Sequence, residues 1–408
     1  MMIAQSIDRS VSHSKKVGGV LLIAGTSIGA GMLGIPAAVA AVGFESAVVL
    51  LFINWIIMMI TALLIVEVNI RQPLHTDLNT MAKATLGRAG QIVNWIAYLL
   101  LLYALTTAYI SMGGGLIDQY VFHISSLAPT WYGALIFCGV LGVIVYVGTQ
   151  AVDNLNKLFF SLKGLCFIGL IVFVVPHVQG ALLSTQSMGI SYVWFSFPIL
   201  ITSFGFHIVI PTIRNYFQND QVLKKVVVTG ASVPFIVYIV WLVVTLGVIP
   251  VAGSYGFKSM MNHGGDLGSA YHYLIGANAA SGFIIAFSNI AVTTSFLGVT
   301  LALFHFNQDA YRLKSSTKAR LLNAAITYLP PLIFAVFFIN GFLAALGYAS
   351  IFVCVLLIVL PVMMAWSLRN KENRNTMRSK LFLTLVLLAG VFIILLQFFA
   401  SFGMLAML

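Results

Sequence analysis

The chain has 408 residues, of which 60% are hydrophobic and 8% charged, with a formal net charge of +11. A soluble domain carries about 25% charged residues, so this composition excludes a water-facing surface and places most of the chain in lipid. The positive charge forms no basic cluster interleaved with aromatics, which argues against nucleic acid binding, and Cys138, Cys166 and Cys354 all lie in apolar stretches, which argues against a disulfide framework.

Residues 1–16 form a polar, basic tail. The apolar run behind it is too long for a signal peptide and lacks a clear cleavage site, so it reads as an uncleaved first span. At ~20 apolar residues per span, eleven candidates follow in chain order: 17–42, 46–66, 90–117, 131–150, 155–175, 191–213, 226–250, 281–306, 321–339, 342–366 and 381–405. The uncharged stretch 321–368 is too long for one helix and is divided at Asn340-Gly341. Pro176, Gly180 and the polar run 184–187 mark the turn before the sixth span. The loops 67–89 and 251–280 are longer than hairpins, and each reads either as carrying short surface helices that act as gates or as a plain tolerated loop.

With a cytoplasmic N-terminus, eleven spans place nineteen of the 21 lysines and arginines inside, Lys258 alone outside, and Lys163 within the fifth span. That is a strong positive-inside bias, and it predicts a periplasmic C-terminus. Five is odd, so the sixth span runs opposite to the first. Residues 17–175 and 191–366 are therefore expected to form a five-plus-five inverted repeat of an all-α membrane protein, with 381–405 as an added span.

Two matching interruptions support this division. Thr26-Ser27-Ile28-Gly29-Ala30-Gly31-Met32-Leu33-Gly34-Ile35-Pro36 interrupts the first span, and Thr202-Ser203-Phe204-Gly205-Phe206-His207-Ile208-Val209-Ile210-Pro211 the sixth. Both begin Thr-Ser-x-Gly and both end Ile-Pro. Matching interruptions in the two halves of a transporter point to its substrate site. An unwound segment frees N–H groups that suit a carboxylate and carbonyls that suit an ammonium, and an α-amino acid carries both. The candidate substrate residues are Thr26, Ser27, Gly29, Ala30, Gly31, Ser203, Phe204, Gly205, Phe206 and His207. Aromatics beside the second break, and Tyr98, Tyr103 and Tyr109 of the third span, suit a large flat side chain. Tyr103 joins the candidate set.

These residues carry a resemblance. Gly25-Thr26-Ser27-Ile28-Gly29-Ala30-Gly31-Met32, Tyr103-Ala104-Leu105-Thr106-Thr107-Ala108-Tyr109-Ile110-Ser111, Thr202-Ser203-Phe204-Gly205-Phe206-His207 and Thr294-Ser295-Phe296-Leu297-Gly298 together resemble the hydroxy/aromatic amino acid permease family, and within it most the tyrosine-specific branch. The family lies in the amino acid–polyamine–organocation superfamily. The resemblance runs from about residue 16 to the end. It implies a LeuT-like fold with broken helices 1 and 6. It also implies proton-driven import of an aromatic amino acid, L-tyrosine first, across a bacterial inner membrane, with no cofactor beyond the proton gradient and no obligate protein partner. Branches carrying tryptophan or serine and threonine share much of the pattern.

An ionisable residue inside a span is a functional candidate, and Lys163 is the main one. The resemblance implies that its amine occupies the spot where sodium-coupled relatives hold their ion, near backbone at Ala24 and Gly25 and near Thr294 and Ser295. The other reading is a side chain that snorkels to the inner headgroups. Thr294 and Ser295 would also suit a sodium ion, so a sodium-coupled symporter is the competing function. His207 titrates near neutral pH and reads either as a partner for a substrate hydroxyl or proton, or as a structural histidine in unwound backbone. No convergent carboxylates or metal-ligand set indicates an enzyme, and neither a pore ring nor a large outside domain indicates a channel or receptor.

Overall fold

A computed structural model describes residues 13–118, 131–184, 187–217, 219–263, 267–276, 279–313, 316–337 and 341–405. The rest of the expected tail, residues 1–12, and Asn340 of the expected turn lie outside the described residues. Among the described residues all regular structure is helical. Nine helices are long and apolar enough to cross a membrane, and a tenth span results if one bent pair is counted as one.

That pair is α1 (His13–Ser27) and α2 (Gly31–Val39), continued by a 3-10 turn (Ala40–Val42) and bent by 55° across residues 28–30. α3 (Phe44–Ile70) starts after Gly43, whose φ of 82° lets the chain reverse in one residue. α4 (Leu78–Ile117) is capped by Asp77, whose Oδ1 accepts from Thr80 N–H at 2.8 Å, and is kinked at Gly87, φ 74°. The loop before the third span therefore carries a short helix, residues 78–86. α5 (Tyr132–Val147) is apolar but has 16 residues, fewer than the other spans. It meets α6 (Thr149–Val174) through Gly148 alone, φ 132°. The sequence places this boundary later, at 150–155; Gly148 turns the chain within one residue, and Gln150 Nε2 donates to Asn154 Oδ1 within the start of α6.

The second half of the chain follows. The short α7 (Gly180–Leu183) leads to α8 (Ile190–Ser203), a break at 204–206, a 3-10 turn (His207–Val209) and α9 (Ile210–Tyr216). α10 (Asp220–Leu246) is capped by Asn219, whose Oδ1 accepts from the N–H groups of Gln221 and Val222. The loop that follows holds α11 (Phe257–His263) and α12 (Leu267–Ile275). α13 (Ala279–Ala310), α14 (Thr317–Phe337) and α15 (Phe342–Cys354) follow. A π turn (Val355–Val359) joins α15 to α16 (Leu360–Lys371), and α17 (Met377–Ser401) closes the chain.

The outer faces of α5 and α6 are apolar and exposed, with Val143 61%, Val147 66% and Leu165 65% accessible. A water-soluble protein would not leave such faces open; a lipid-facing one must. Inside, α1 packs on α10, α2 on α8, and α13 on α6 and α4. At one end of the helices, Glu67 of α3 accepts from Arg369 of α16 through both carboxylate oxygens, at 2.9 and 2.5 Å. This ion pair, with Arg374 3.8 Å from Glu67, ties two helices at the basic face.

Helix packing in lipid depends on small residues that let backbones approach. A Cβ on Gly133 of α5 would lie 2.2 Å from Gly114 O of α4, whereas a Cβ on Gly139 of the same helix meets nothing within 4 Å. Gly133→Ala is expected to destabilise the detergent-purified protein by about 1–3 kcal/mol. Gly139→Ala should be neutral or stabilising, by about 0.5–1 kcal/mol, through helix propensity. Thermal melts of the two variants check this, and equal melting shifts would contradict the packing.

Candidate functional site

The two breaks lie against each other in the middle of the fold, and side chains from three other helices hold their freed backbone groups. Tyr238 of α10, fully buried, shares its hydroxyl proton between Ser27 O at the end of α1 and Ser203 O at the end of α8, at 2.7 Å each. Ser203 Oγ also lies 3.4 Å from Gly31 O, across the breaks. One turn along α10, Trp241 Nε1–H donates to Met32 O at 2.9 Å. Lys163 of α6, 8% exposed, donates from Nζ to Ile28 O at 2.9 Å. Ser295 of α13 accepts from Ala30 N–H at 2.9 Å. A buried backbone group left unpaired costs about 1–3 kcal/mol, so this set of bonds is what lets the helices stop in mid-membrane.

The first break is too narrow for side chains at some positions. A Cβ on Gly29 would meet Ser295 Oγ at 2.7 Å. Ser27 Oγ is buried and has no protein partner. It is an unpaired hydroxyl beside the C-terminal carbonyls of α1 and the N-terminus of α2. Thr106 Oγ1 of α4 is likewise buried and unpaired. Three residues on, and so on the same face of α4, Tyr109 is buried. The second break is walled by Phe204, edge-on to Tyr238 with centroids 5.2 Å apart, and by Phe206, 4.9 Å from the His207 ring.

The sequence-derived candidates divide accordingly. Ser27, Gly29, Ala30, Gly31, Ser203, Phe204, Lys163 and Ser295 come together. Gly205 packs beside Leu357 of the π turn. Thr26 and Thr294 bond to their own helices, through Leu22 O at 2.7 Å and Ala291 O at 3.1 Å. Tyr103 turns to α14 and donates to Ile326 O at 2.8 Å, away from the breaks. His207 turns to α3, where Nε2 lies 2.9 Å from Thr61 Oγ1; its Nδ1 has no partner. Lys163 engages Ile28 O, one turn beyond the expected backbone at Ala24 and Gly25, where Phe160 packs on Gly25 instead. The sequence reading passed over Tyr238, Trp241 and Thr106. Tyr238 and Trp241 stand three residues apart in the same span as Phe235, and Thr106 lies in the motif 103–111 quoted above.

The Gly29–Ser295 contact generates a double-mutant test. Gly29→Ala should clash with Ser295, and Ser295→Ala should leave Ala30 N–H unpaired. In the double variant the clash is gone, so its loss of stability should fall short of the summed single losses by more than about 0.5 kcal/mol. Melting temperatures of the four proteins measure this, and strict additivity would contradict the contact.

Comparison with known proteins places this site in a family. The chain is 32% identical to the tyrosine-specific transport system 2 of Haemophilus influenzae, over 96% of this chain and 98% of that protein. It is 30% identical to the tryptophan-specific transport protein of Pseudomonas aeruginosa, over 92% of each. It is 31% identical to the low affinity tryptophan permease of Escherichia coli K12, over 93% of this chain and 94% of that one. The family model for tryptophan/tyrosine permeases matches residues 12–397. With its apolar spans and its near-complete match to that model, the chain is a multi-pass membrane transport protein rather than an enzyme, and it belongs to the tryptophan/tyrosine permease family.

Proposed function

We propose that the protein imports an aromatic amino acid, L-tyrosine first and tryptophan second, by proton symport with alternating access across a bacterial inner membrane. The observation that carries this reading is the Lys163 amine on Ile28 O, inside the first break and next to the Ser295–Ala30 bond. A charged lysine there occupies the position a coupling cation would take, and its charge repels a sodium ion. Ser295 Oγ accepts from Ala30 N–H, which takes up one of its lone pairs, and Thr294 Oγ1 donates its proton to its own helix. Relatives named for tyrosine and for tryptophan at similar identity support an aromatic substrate.

The substrate site is the paired break. The N-terminal end of α2 presents positive dipole to a carboxylate. The carbonyl ends of α1 and α8 suit the ammonium, and Ser27 Oγ and Thr106 Oγ1 offer unpaired hydroxyls. Phe204 and Phe206 line the break for a ring. Loss of the proton from Lys163 removes a charge and weakens its hold on Ile28 O, which frees α1 to move.

The architecture we propose is eleven spans, with α5 as the short one and α17 outside a five-plus-five inverted repeat. Each half opens with a broken helix, followed by a 27-residue helix, α3 or α10, then by short loop helices and a long helix, α4 or α13. That order supports a cytoplasmic N-terminus and a periplasmic C-terminus, together with the basic residues.

Radiolabelled tyrosine and tryptophan uptake into proteoliposomes tests the reading. An inward proton gradient should drive accumulation and an inward sodium gradient should not. Lys163→Ala should lose accumulation at least about ten-fold, the weight of one ~1.4 kcal/mol step, while equilibrium binding persists. Sodium-dependent uptake, or full accumulation by Lys163→Ala, would overturn the coupling. Competition by serine or threonine rather than by aromatic amino acids would overturn the substrate.

A further inference from the structure

We propose that Tyr238 is a positioning residue that locks the two breaks into one mechanical unit through its single hydroxyl proton. Ser27 and Ser203 are the last residues of α1 and α8, so their carbonyls sit at the negative ends of two half-helices; Ser27 O also accepts from Gly29 N–H at 2.9 Å within the break. Two such ends repel each other when brought together in a low-dielectric interior. One phenolic O–H lies 2.7 Å from both and is fully buried. It is therefore a shared donor that offsets the repulsion and fixes the spacing of the ends.

The rest of α10 supports this placement. Gly230, two turns before Tyr238, lets α1 approach closely: a Cβ there would meet Ile23 Cβ at 2.8 Å. Trp241, three residues after Tyr238, holds Met32 O beyond the break. Gly230, Tyr238 and Trp241 fall on one helical face. α10 thus grips the first broken helix on both sides of its break and reaches the second through the same hydroxyl. The Tyr238 ring is set by the edge-on Phe204 ring at 5.2 Å. A displacement of either break breaks one of the two bonds and leaves the O–H donating to the other carbonyl alone. The breaks are therefore coupled, and neither is indifferent to the other's position.

Tyr238→Phe keeps the ring and its packing and removes only the shared proton. The first readout is hydrogen exchange of the purified protein, followed by mass spectrometry, which needs no substrate. Peptides covering residues 24–33 and 200–210 should both exchange faster in Tyr238→Phe, by about ten-fold, the weight of a buried bond lost. A change at one break only, or at neither, would overturn the coupling. If Tyr238→Phe does not yield a monodisperse protein, 3,5-difluorotyrosine at 238 strengthens the donor without changing the shape. Exchange should then slow at both breaks, and no change there would overturn the proposal. The second readout rests on the transport reading: Tyr238→Phe should lower the maximal rate of aromatic amino acid exchange about ten-fold with KM within about three-fold. A raised KM with an unchanged maximal rate would overturn the positioning role. Absence of aromatic uptake by the unaltered protein would count against the transport reading and leave the hydrogen-exchange result standing.

Discussion

Lipid offers no hydrogen bonds, so a helix that stops in mid-membrane must find protein partners for its freed N–H and C=O groups. Nearly everything specific about this protein's interior answers that constraint. The first break frees the carbonyls of Ser27 and Ile28 and the N–H of Ala30. They are met by Tyr238, Lys163 and Ser295, from α10, α6 and α13. The second break frees Ser203 O, which falls to the same Tyr238. Tyr238 and Lys163, buried polar side chains that would be anomalous in an ordinary core, cap these ends.

The same constraint explains why chemistry and architecture coincide here. A segment with satisfied but non-helical backbone already offers donors and acceptors in fixed directions, at no further cost of reorganisation. Adding a hydroxyl without a partner, as at Ser27 and Thr106, leaves unmet hydrogen-bonding capacity that a ligand can take up. Lys163 brings a charge into the set. Among the described residues it is the buried side chain that carries a full formal charge, and it is held by one backbone carbonyl and by Phe160, whose ring centroid lies 5.8 Å from Nζ. A buried lysine without a carboxylate beside it is costly to maintain, and membrane proteins retain such groups at functional positions.

Local sequence features were read correctly where the cause was local. The breaks were visible because Gly29, Gly31, Gly205, Pro36 and Pro211 are poor helix formers set in apolar runs. Lys163 was visible because charge is so rare in the chain. The boundary between α5 and α6 lies earlier than the sequence places it because one glycine at positive φ turns the chain. Long-range placement was not legible. Which turn of α1 faces Lys163 depends on how α1 and α6 cross, and Ile28 rather than Ala24 or Gly25 meets the amine. Tyr103 belongs to a motif beside the site in sequence, yet its hydroxyl reaches α14. Tyr238 looks like one aromatic among many until two carbonyls from distant segments converge on it.

The central claim is that the two breaks form one binding site for one aromatic amino acid. The most direct test uses a chain with Cys138, Cys166 and Cys354 replaced by alanine, carrying Ser27→Cys or Ser203→Cys, and follows maleimide labelling in membranes. The account predicts that tyrosine or tryptophan slows labelling at both positions with the same half-saturating concentration. Protection at one position alone, or at neither while uptake persists, would contradict it.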